Sequence, residues 1–460
     1  MSTLTMPVIR DAALEPIAAK VEAGERLSLA EGELLFTTPD LWTVLGLADQ
    51  VRRRLHGDAA YYNVNRHLNY SNICALSCKF CEFYRKRGEE GAYEHSIEDV
   101  RAEARRAIEA GATEMHIVGG LHPYLPFEYY TDMLAAIREE SEAAKQRDSE
   151  TGAASGTLHI KAFTAVEIVH LAKIAKVYKA SDRRSGIRWV LERLKDAGLG
   201  SLPGGGAEVF DDRVHDEAFK GKIRSDVWLD VHRIAHELGL NTNATILYGH
   251  VEQRRERLIH MDMLRRTQDV ALARLGYEAR QRNSETAKQG TDDEWPGEVT
   301  LTRPGTPLPR PGLPDGVPPV SLSRCLADSL CCGYFQTIIP LPFFPDGSEL
   351  EHLPGPSGLE NLRMLAVSRL MLDNFPHVKA FWIMQTLGMA QLMLQNGADD
   401  IDGTVVWYDI TKVGGADTHQ ETTVWDLQRA IREAGFRPVE RDTLYRRVER
   451  DGKRWWIAEG

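Results

Sequence analysis

Three cysteines in the first quarter of the chain have the type and spacing to do chemistry. Cys74, Cys78 and Cys81 form a C-x3-C-x2-C run directly after a strand-like segment. Iron–sulfur clusters are usually held by four cysteine thiolates. A loop that supplies only three can hold three irons of a [4Fe–4S] cube and leave the fourth iron open, as a catalytic metal site requires. The run therefore predicts a cluster whose open iron binds a small chelating molecule and passes an electron to it.

Two other interpretations of the same cysteines remain. They could belong to a zinc site that a histidine completes, or they could be small apolar residues of a core. Structural zinc sites usually show two separated cysteine pairs, and no second pair with that spacing stands in this sequence. Phe80, beside the last cysteine, adds an aromatic ring to the run. The spacing favours the cluster over both alternatives.

A glycine pair follows the next strand along the chain. Gly119 and Gly120 stand after the buried segment 114–118, about 40 residues beyond the cysteines, which is one strand–helix unit later. Glycine lets the backbone approach a ligand closely and leaves strand-end amides and carbonyls accessible. A glycine pair alone is weak evidence for a binding turn, but this position strengthens it.

Two further strand ends carry candidate side chains. The glycines 204–206 could form a phosphate-binding loop, but no Walker lysine follows them. Glu208, which stands just after them, is a candidate for binding a ribose hydroxyl or a substrate amine. The alternative is a solvated loop acid. His250 follows an apolar strand by one glycine, which is a suitable place for proton transfer near neutral pH. The alternative for His250 is a structural or helix-capping histidine.

These residues must be positioned by alternating strands and helices, which are typical of a parallel α/β sheet. Eight strands suit a (βα) barrel of the TIM type, whose active sites lie at the C-terminal ends of the strands. The candidate strands are 65–74, 114–118, 158–164, 198–203, 242–248, 336–341, 378–384 and 400–406.

The remaining segments flank or interrupt this core. We expect a helical N-terminal extension over 1–60, a barrel core over 61–440 and a tail over 441–460 packed on or near the barrel. Eight of the chain's 21 prolines fall between Pro296 and Pro319, so 285–320 is predicted to be an irregular surface insertion. Three cysteines follow this insertion: Cys325, Cys331 and Cys332. Their spacing does not match an iron–sulfur motif, so we interpret them as small, buried hydrophobic residues and not as a second metal site.

The bulk composition excludes several classes of protein. A net charge of −11 disfavours binding to nucleic acid or to anionic membranes, which requires basic surfaces. The N-terminal segment has no secretory signal pattern, and no stretch approaches the length of a membrane span. Six cysteines, three of them in a cluster motif, are typical of a reducing cytoplasm.

The cysteine run resembles the signature of the radical S-adenosylmethionine (SAM) enzymes. That resemblance implies that SAM chelates the open iron, and that the reduced cluster cleaves SAM to methionine and a 5′-deoxyadenosyl radical. It also implies that the Gly119–Gly120 turn binds the SAM amino group. Over residues 61–440 the chain resembles the branch of the futalosine-pathway and deazaflavin-forming enzymes. The segments 119–123, 159–164 and 413–419 look most like the aminofutalosine synthase family.

The family resemblance implies a reaction of the adenosyl radical with 3-[(1-carboxyvinyl)oxy]benzoate. The product would be 6-amino-6-deoxyfutalosine for menaquinone synthesis, with bicarbonate and methionine released. The expected partners are this aromatic dicarboxylate, SAM and an electron donor such as flavodoxin or ferredoxin. Arg66 and Lys161 are candidate cations for the carboxylates. The alternatives are a dehypoxanthinylfutalosine-cyclising enzyme, a deazaflavin synthase subunit, or a noncatalytic metal-binding protein.

Overall fold

The computed structural model describes residues 8–150, 156–206, 208–284, 332–404 and 421–458. The proline-rich segment 285–320, the motif 413–419, Cys325 and Cys331 lie outside the described residues. The α-helices are α1 Glu15–Ala23, α2 Leu29–Thr37, α3 Leu41–His56, α4 Ile97–Glu109, α5 Phe127–Glu150, α6 Ala165–Ile174, α7 Arg183–Ala197, α8 Asp212–Ala218, α9 Ser225–Glu237, α10 Arg254–Ser284, α11 Gly358–Met371, α12 Trp382–Gln385, α13 Leu387–Leu394 and α14 Val424–Glu433.

Strands alternate with these helices along most of the chain. They are β1 Ala59–Asn63, β2 Asn65–Leu68, β3 Glu114–Ile117, β4 His159–Ala162, β5 Ser201–Leu202, β6 Asn241–Tyr248, β7 Phe335–Pro342, β8 His377–Val378, β9 Asp400–Gly403, β10 Arg437–Glu440, β11 Val448–Asp451 and β12 Arg454–Ile457. From β2 to β8 the strands lie side by side in chain order, and every neighbouring pair is parallel.

A second, smaller sheet completes the ring of strands. β1 pairs in parallel with β9, and a single bridge joins Lys379, just after β8, to Asp400. Only Val64 separates β1 from β2, so these two segments act as one bent strand that belongs to both sheets. Strands at the eight predicted places therefore form a ring of parallel strands, and the predicted α/β radical SAM fold with a TIM-type barrel is confirmed. The predicted strand 378–384 is wrong in its second half, because β8 ends at Val378 and α12 begins at Trp382.

The first strand ends earlier than the sequence pattern predicts. β2 stops at Leu68, whereas the predicted strand runs to Cys74. The side-chain amide of Asn69 donates to the carbonyl of Val118, and that of Asn72 donates to the carbonyl of Gly91. These side-chain bonds add to the irregular backbone bonds that follow Leu68, where the chain leaves the regular ladder and enters the cysteine loop.

Helix starts behind the strands follow local sequence signals. Ser96 and Asp99 form the predicted capping box at the start of α4, each side chain bonding the other's backbone amide. Thr164 and Glu167 form a second box at the start of α6, immediately after β4. Because such a box satisfies two of the unpaired amides at a helix start, it fixes where each helix leaves its strand.

The N-terminal helices pack on the outer wall of the ring. α3 lies against α11, and α2 lies against α10. Arg26 bridges Asp269 on α10 at 2.6 Å and Asp373 after α11 at 2.9 Å. The division at residue 60 stays a prediction, but these contacts attach the predicted extension to the barrel.

Residues 441–445 cover the N-terminal end of the ring, opposite the strand ends that carry the candidate residues. Arg441 donates to Asp400 at 2.6 Å, and both side chains are almost fully buried. The ring of Tyr445 stacks on His377 at the start of β8, with centroids 3.5 Å apart. In barrels of this type catalysis takes place at the C-terminal ends of the strands, so we expect this cluster at the opposite end to be structural.

Candidate active site

A cavity of about 300 Å³ opens at the C-terminal ends of the strands. The cysteine loop, the turns after β3 and β5, and the interior sides of the other strands line it. The three predicted metal ligands and the three predicted cofactor-binding residues are all among its lining residues: Cys74, Cys78, Cys81, Gly119, Gly120 and Glu208. The fold thus brings together residues that are up to 134 positions apart, the separation of Cys74 from Glu208.

Backbone amides point at the sulfurs of the cysteine loop. The Sγ atom of Cys74 accepts from the amides of Leu76 and Leu121, both at 3.4 Å. Cys81 receives backbone hydrogen bonds from Phe83 and Tyr84. Hydrogen bonds to sulfur stabilise the thiolate form that ligates iron and tune the cluster it holds.

The spacing of the sulfurs helps to distinguish a site for an iron–sulfur cluster from a site for a single zinc ion. Among the residues that the structure describes, Cys74, Cys78 and Cys81 do not form a group whose ligand atoms all lie within 4.8 Å of one another. A tetrahedral zinc site with Zn–S bonds of about 2.3 Å needs sulfurs about 3.8 Å apart. As they stand, the three thiols are therefore not arranged around one zinc ion, and three cysteine donors from one loop suit a [4Fe–4S] cluster with one iron left open.

The thiols would have to lose their protons in order to bind iron. Burial raises the pKa of Cys78 to about 11, although the nearby ammonium of Lys222 opposes the shift. Burial likewise raises the pKa of Cys81. Ligand thiols are deprotonated in the bound state, so cluster assembly in this loop releases protons and is favoured by higher pH.

The turn after β3 presents acceptors to a ligand. The amide of Gly119 donates to Oε1 of Glu167 at 3.1 Å, and the amide of Gly120 donates to the carbonyl of Ser71 at 2.8 Å. The carbonyl oxygen of Gly120 lies 3.2 Å from the hydroxyl of Tyr70, which shares its one proton between this carbonyl and Glu167, and it keeps a second lone pair. With both amides used internally, the turn suits a cationic donor such as an ammonium group. This chemistry supports the expectation that the turn binds the amino group of SAM, and that role stays a prediction.

Glu167 is a lining residue that the sequence reasoning did not select. Its two oxygens accept from Gly119, Tyr70 and Thr164, and its side chain is buried. Burial raises the pKa of Glu167 to about 7, although the hydrogen bonds that its carboxylate accepts lower the pKa. The signal that could have found it is the Thr-x-x-Glu capping box that directly follows a strand.

Glu208 forms an ion pair that the sequence did not predict. Its Oε1 lies 2.5 Å from the Nζ atom of Lys222, and that ammonium stands 4.6 Å from the centre of the Phe80 ring. Burial would lower the pKa of Lys222, but Glu208 outweighs it, so the pKa is raised. Glu208 has a φ of 52°, a backbone conformation that is uncommon for a residue other than glycine. Its role with a ribose hydroxyl or an amine stays a prediction.

His250 lies behind the cavity wall. Its ring stands 6.0 Å from the ring of Phe343, which lines the cavity, and its Nε2 atom lies 3.1 Å from the carbonyl oxygen of Leu247. Its Nδ1 atom lies 3.4 Å from a carboxylate oxygen of Glu252. Burial lowers the pKa of His250, although Glu252 opposes this shift. His250 is not among the described residues that line the cavity, so its role in proton transfer stays a prediction.

Of the two cations predicted to meet carboxylates, the structure brings one to the cavity. Lys161 lines it, whereas Arg66 pairs with Glu103 of α4 at 2.9 Å on the outer side of β2. Alternation along a strand sends neighbouring side chains to opposite faces, and it places Arg66 outside the barrel.

The interior of the ring below the cysteines is polar. We call it the cavity floor, and it consists of two lysine–carboxylate pairs and two stacked imidazoles. Lys161 donates to Glu114 at 2.8 Å, and Lys379 donates to Asp402 at 2.8 Å. The floor residues are His67, Glu114, His116, Lys161, Lys379 and Asp402.

No helix in the described part of the chain is both long enough and apolar enough to span a membrane.

Comparison with known families agrees with this geometry. Residues 68–264 match the family model described as the radical SAM superfamily. Residues 332–452 match the model described as the CofH/MqnC C-terminal region. The first match contains the cysteine loop, the β3 turn and the β5 turn. The second contains β7 to β9, which supply Lys379 and Asp402 to the floor.

Curated relatives align along almost the whole chain. An aminodeoxyfutalosine synthase of Thermus thermophilus is 38% identical over 96% of this chain and 97% of its own length. One from Streptomyces coelicolor is also 38% identical, over 93% of this chain and 92% of its own. A 5-amino-6-(D-ribitylamino)uracil–L-tyrosine 4-hydroxyphenyl transferase of Methanosphaerula palustris is 31% identical, over 94% and 97%.

A solved structure shares the fold. The crystal structure of a methylornithine synthase superposes with a TM-score of 0.59 at 15% identity, over 92% of this chain and 97% of that one. At this level of identity the likeness concerns the fold alone.

Proposed function

This chain belongs to the radical SAM superfamily, in the group that includes the aminodeoxyfutalosine synthases, and we propose that it makes 6-amino-6-deoxyfutalosine from SAM and 3-[(1-carboxyvinyl)oxy]benzoate. The superfamily uses a [4Fe–4S] cluster and SAM, so these expected cofactors, and the expectation of an enzyme, are confirmed. The observation that carries the specific activity is the 38% identity to two aminodeoxyfutalosine synthases across both matched regions.

The three thiols would hold the cluster, and the neighbouring turns would hold SAM. When bound, the reduced cluster supplies the electron that splits SAM into methionine and the 5′-deoxyadenosyl radical. Cys74, Cys78 and Cys81 leave one iron for SAM. The β3 turn, with Gly119 and Gly120, offers carbonyl acceptors to its amino group.

In the proposed reaction the adenosyl carbon bonds to the enol-ether carbon of the substrate. The aryl group then migrates from oxygen to carbon, and the vinyl carboxylate is lost as CO2 while one electron is given back; a water molecule then hydrates the CO2 to bicarbonate. The protein must keep water from the radical while it holds both molecules in line. Aromatic side chains that line the cavity would exclude water from it, among them Phe80, Phe343, Phe344 and Phe381.

The charge of the cavity suits an acidic substrate in an acidic protein. The whole chain carries a net charge of −11, but the cavity lining includes three lysines, Lys161, Lys222 and Lys379. Each of these lysines is paired with a carboxylate, so the cavity is close to neutral, and its lysines keep N–H donors for a dicarboxylate that the overall field would repel. We also propose a flavodoxin or ferredoxin as electron donor and the cytoplasm as location, because the cluster needs a low-potential reductant and reducing surroundings.

The decisive experiment is product analysis under anaerobic conditions. The reconstituted enzyme is incubated with SAM, dithionite and the carboxyvinyloxybenzoate, and the mixture is analysed by mass spectrometry for 6-amino-6-deoxyfutalosine and methionine. Parallel incubations contain dehypoxanthinylfutalosine, or tyrosine with 5-amino-6-(D-ribitylamino)uracil. The Cys78→Ala variant is the control for cluster-dependent turnover. Product from tyrosine, and none from the benzoate, would assign the chain to the transferase relatives at 31% identity.

A further inference from the structure

The two lysines of the cavity floor have hydrogen-bond donors to spare. Lys161 stands on β4, and Lys379 stands just after β8, on the opposite side of the ring. Each ammonium makes one hydrogen bond to a carboxylate among the described residues, to Glu114 and to Asp402 respectively. An ammonium has three N–H donors, so each can bind a second carboxylate without breaking its existing pair.

Between these pairs lie two imidazoles. The rings of His67 and His116 stack with centroids 4.5 Å apart and an interplanar angle of 11°. Burial lowers the pKa of His67 well below its usual value, and the neighbouring imidazole adds to the shift. Burial also lowers the pKa of His116, although Glu114 opposes this. Both rings are therefore neutral near pH 7 when no anion is bound.

The charged groups around the imidazoles cancel. Glu114, Asp400 and Asp402 supply three negative charges, and Lys161, Lys379 and Arg441 supply three positive ones; Asp400 pairs with Arg441 below the floor. Burial would raise the pKa of Glu114 and of Asp402, but Lys161 outweighs it for the first and Lys379 for the second, so both carboxylates are ionised. A dianion that enters this neutral, buried site brings two charges with nothing to balance them.

We propose that the cavity floor binds the two carboxylates of the substrate, one at Lys161 and the other at Lys379, and that the stacked pair His67–His116 takes up a proton as the dianion enters. The inference rests on the proposed function, because it takes the carboxyvinyloxybenzoate as the ligand. It adds the residues that recognise the acid groups and the origin of the balancing charge.

The cost of burying charge is the physical reason for the proton. An unpaired charge in a dry site costs several kcal/mol, and the group changes its protonation state instead where it can. The imidazoles are the groups on the floor that can do so near neutral pH. Because the two rings lie in contact, protonating one disfavours protonating the other, and the pair takes up one proton. The charged groups that face them are Glu114 and Lys161 from β3 and β4, and Asp402 from β9.

Charge-balanced double variants test the lysines. Removing Lys161 alone would leave Glu114 buried and unpaired, so the variants are Lys161→Met with Glu114→Gln, and Lys379→Met with Asp402→Asn. Asp402 has a φ of 72°, and asparagine tolerates that conformation. Binding of the carboxyvinyloxybenzoate is measured by calorimetry on reconstituted, unreduced enzyme saturated with SAM, where no turnover occurs.

Each double variant should weaken binding of the dicarboxylate at least about tenfold, the size of one lost charge-assisted contact. Two monocarboxylate probes assign the contacts: 3-(vinyloxy)benzoate keeps the ring carboxylate, and 2-phenoxyacrylate keeps the enol carboxylate. Each probe should respond to one double variant and not to the other. Iron content and SAM affinity should stay at the wild-type level in both variants, which shows that the barrel is intact.

Proton uptake is measured in the same titrations. The binding enthalpy of the dicarboxylate is recorded at pH 7.5 in buffers of different ionisation enthalpy, and the slope gives the protons taken up. We expect close to one proton for the wild type and close to none for a His67→Asn/His116→Asn variant. A His352→Asn variant is the control, because that histidine is exposed, and it should keep the wild-type slope.

The outcomes separate the two proposals. A wild-type enzyme that binds tyrosine and not the dicarboxylate overturns the proposed function. If the wild type binds and converts the dicarboxylate with no proton uptake, or if both double variants bind it with unchanged affinity, the cavity floor is not the carboxylate site and the proposed function stands.

Discussion

Gly120 touches the backbone of Ile73, the residue before the first cluster cysteine. A Cβ atom built on Gly120 would stand 2.4 Å from the carbonyl oxygen of Ile73 and 2.8 Å from its carbonyl carbon. Real Cβ atoms do not come so close to backbone, and a backbone neighbour cannot move aside as a side chain can. The glycine is therefore required by the cysteine loop itself, before any ligand binds.

The first prediction follows from this contact. A side chain at Gly120 must push the loop away, so Gly120→Ala should lower the iron content after reconstitution as well as SAM affinity. The cost of such overpacking is typically about 1–3 kcal/mol. The matched control is Gly388→Ala, because no atom lies within 4 Å of a Cβ at that position. Iron analysis and the visible absorption of the cluster measure the effect; a full cluster with weakened SAM binding would show that Gly120 serves SAM alone.

The cluster ligands give the second prediction. Replacing Cys74, Cys78 or Cys81 with Ala should abolish SAM cleavage and reduce bound iron to background, since each thiolate is predicted to hold one iron of the cube. Cys332→Ala is the control. Cys332 is buried beside Ala271, Leu275 and Tyr334 and is not among the residues that line the cavity, so iron and SAM cleavage should both persist. A triple variant that keeps full iron and activity would contradict the assignment.

Glu167 gives a prediction about pH. Its folded-state pKa of about 7 means that its carboxyl group is largely protonated at pH 6 and ionised at pH 8. SAM carries a sulfonium and an ammonium group, and the ionised carboxylate beside Gly119 attracts them. SAM affinity should therefore rise with pH through about pH 7, by roughly tenfold between the two limits, which corresponds to about 1.4 kcal/mol. Equilibrium binding to the unreduced enzyme measures it.

The Glu167→Gln variant is the matched test of that slope. It cannot ionise, so its SAM affinity should not change across the same pH range. A flat profile in the wild type, or the same slope in the variant, would mean that another group titrates.

The buried position of His250 changes what we expect of His250→Gln. A general acid or base contributes about 10²–10⁴-fold, and its loss would stop product formation while SAM cleavage continued. Since the ring is held against the Leu247 carbonyl behind Phe343, we expect only a few-fold slower product formation together with a lower melting temperature. The ratio of product to methionine decides between the two roles, because a structural role leaves this ratio unchanged.

Much of the fold could be predicted from the sequence because local signals specify it. Apolar strands, the capping box at Ser96 and the glycine turn after β3 each act within a few residues. The cysteine run was sufficient for the cluster, because its chemistry depends on spacing within a single loop. The fold and the use of a [4Fe–4S] cluster are confirmed by the structure and by the family, whereas the three cysteines as its ligands stay a prediction.

The cavity floor could not be predicted in the same way. The pair Lys161–Glu114 joins residues 47 positions apart, and Lys379–Asp402 joins residues 23 apart on neighbouring strands. Strands buried on both faces do not show which face turns inward, and a shift of one residue exchanges the faces. Arg66 illustrates the consequence, because one step along β2 separates it from His67, which lines the cavity.

The ring of strands closes between two segments that the ribosome synthesises at very different times. Asn65 at the start of β2 bonds Thr404 beyond β9, which is 339 residues later in the chain. At a synthesis rate of about 5–20 residues per second, that separation is a wait of roughly 17–70 s. Throughout this interval the cysteine loop already exists while the barrel around it is an open, unfinished sheet. We therefore expect iron and sulfur to reach the loop most readily during translation, and a purified apoenzyme with a closed ring to load its cluster more slowly than the nascent chain.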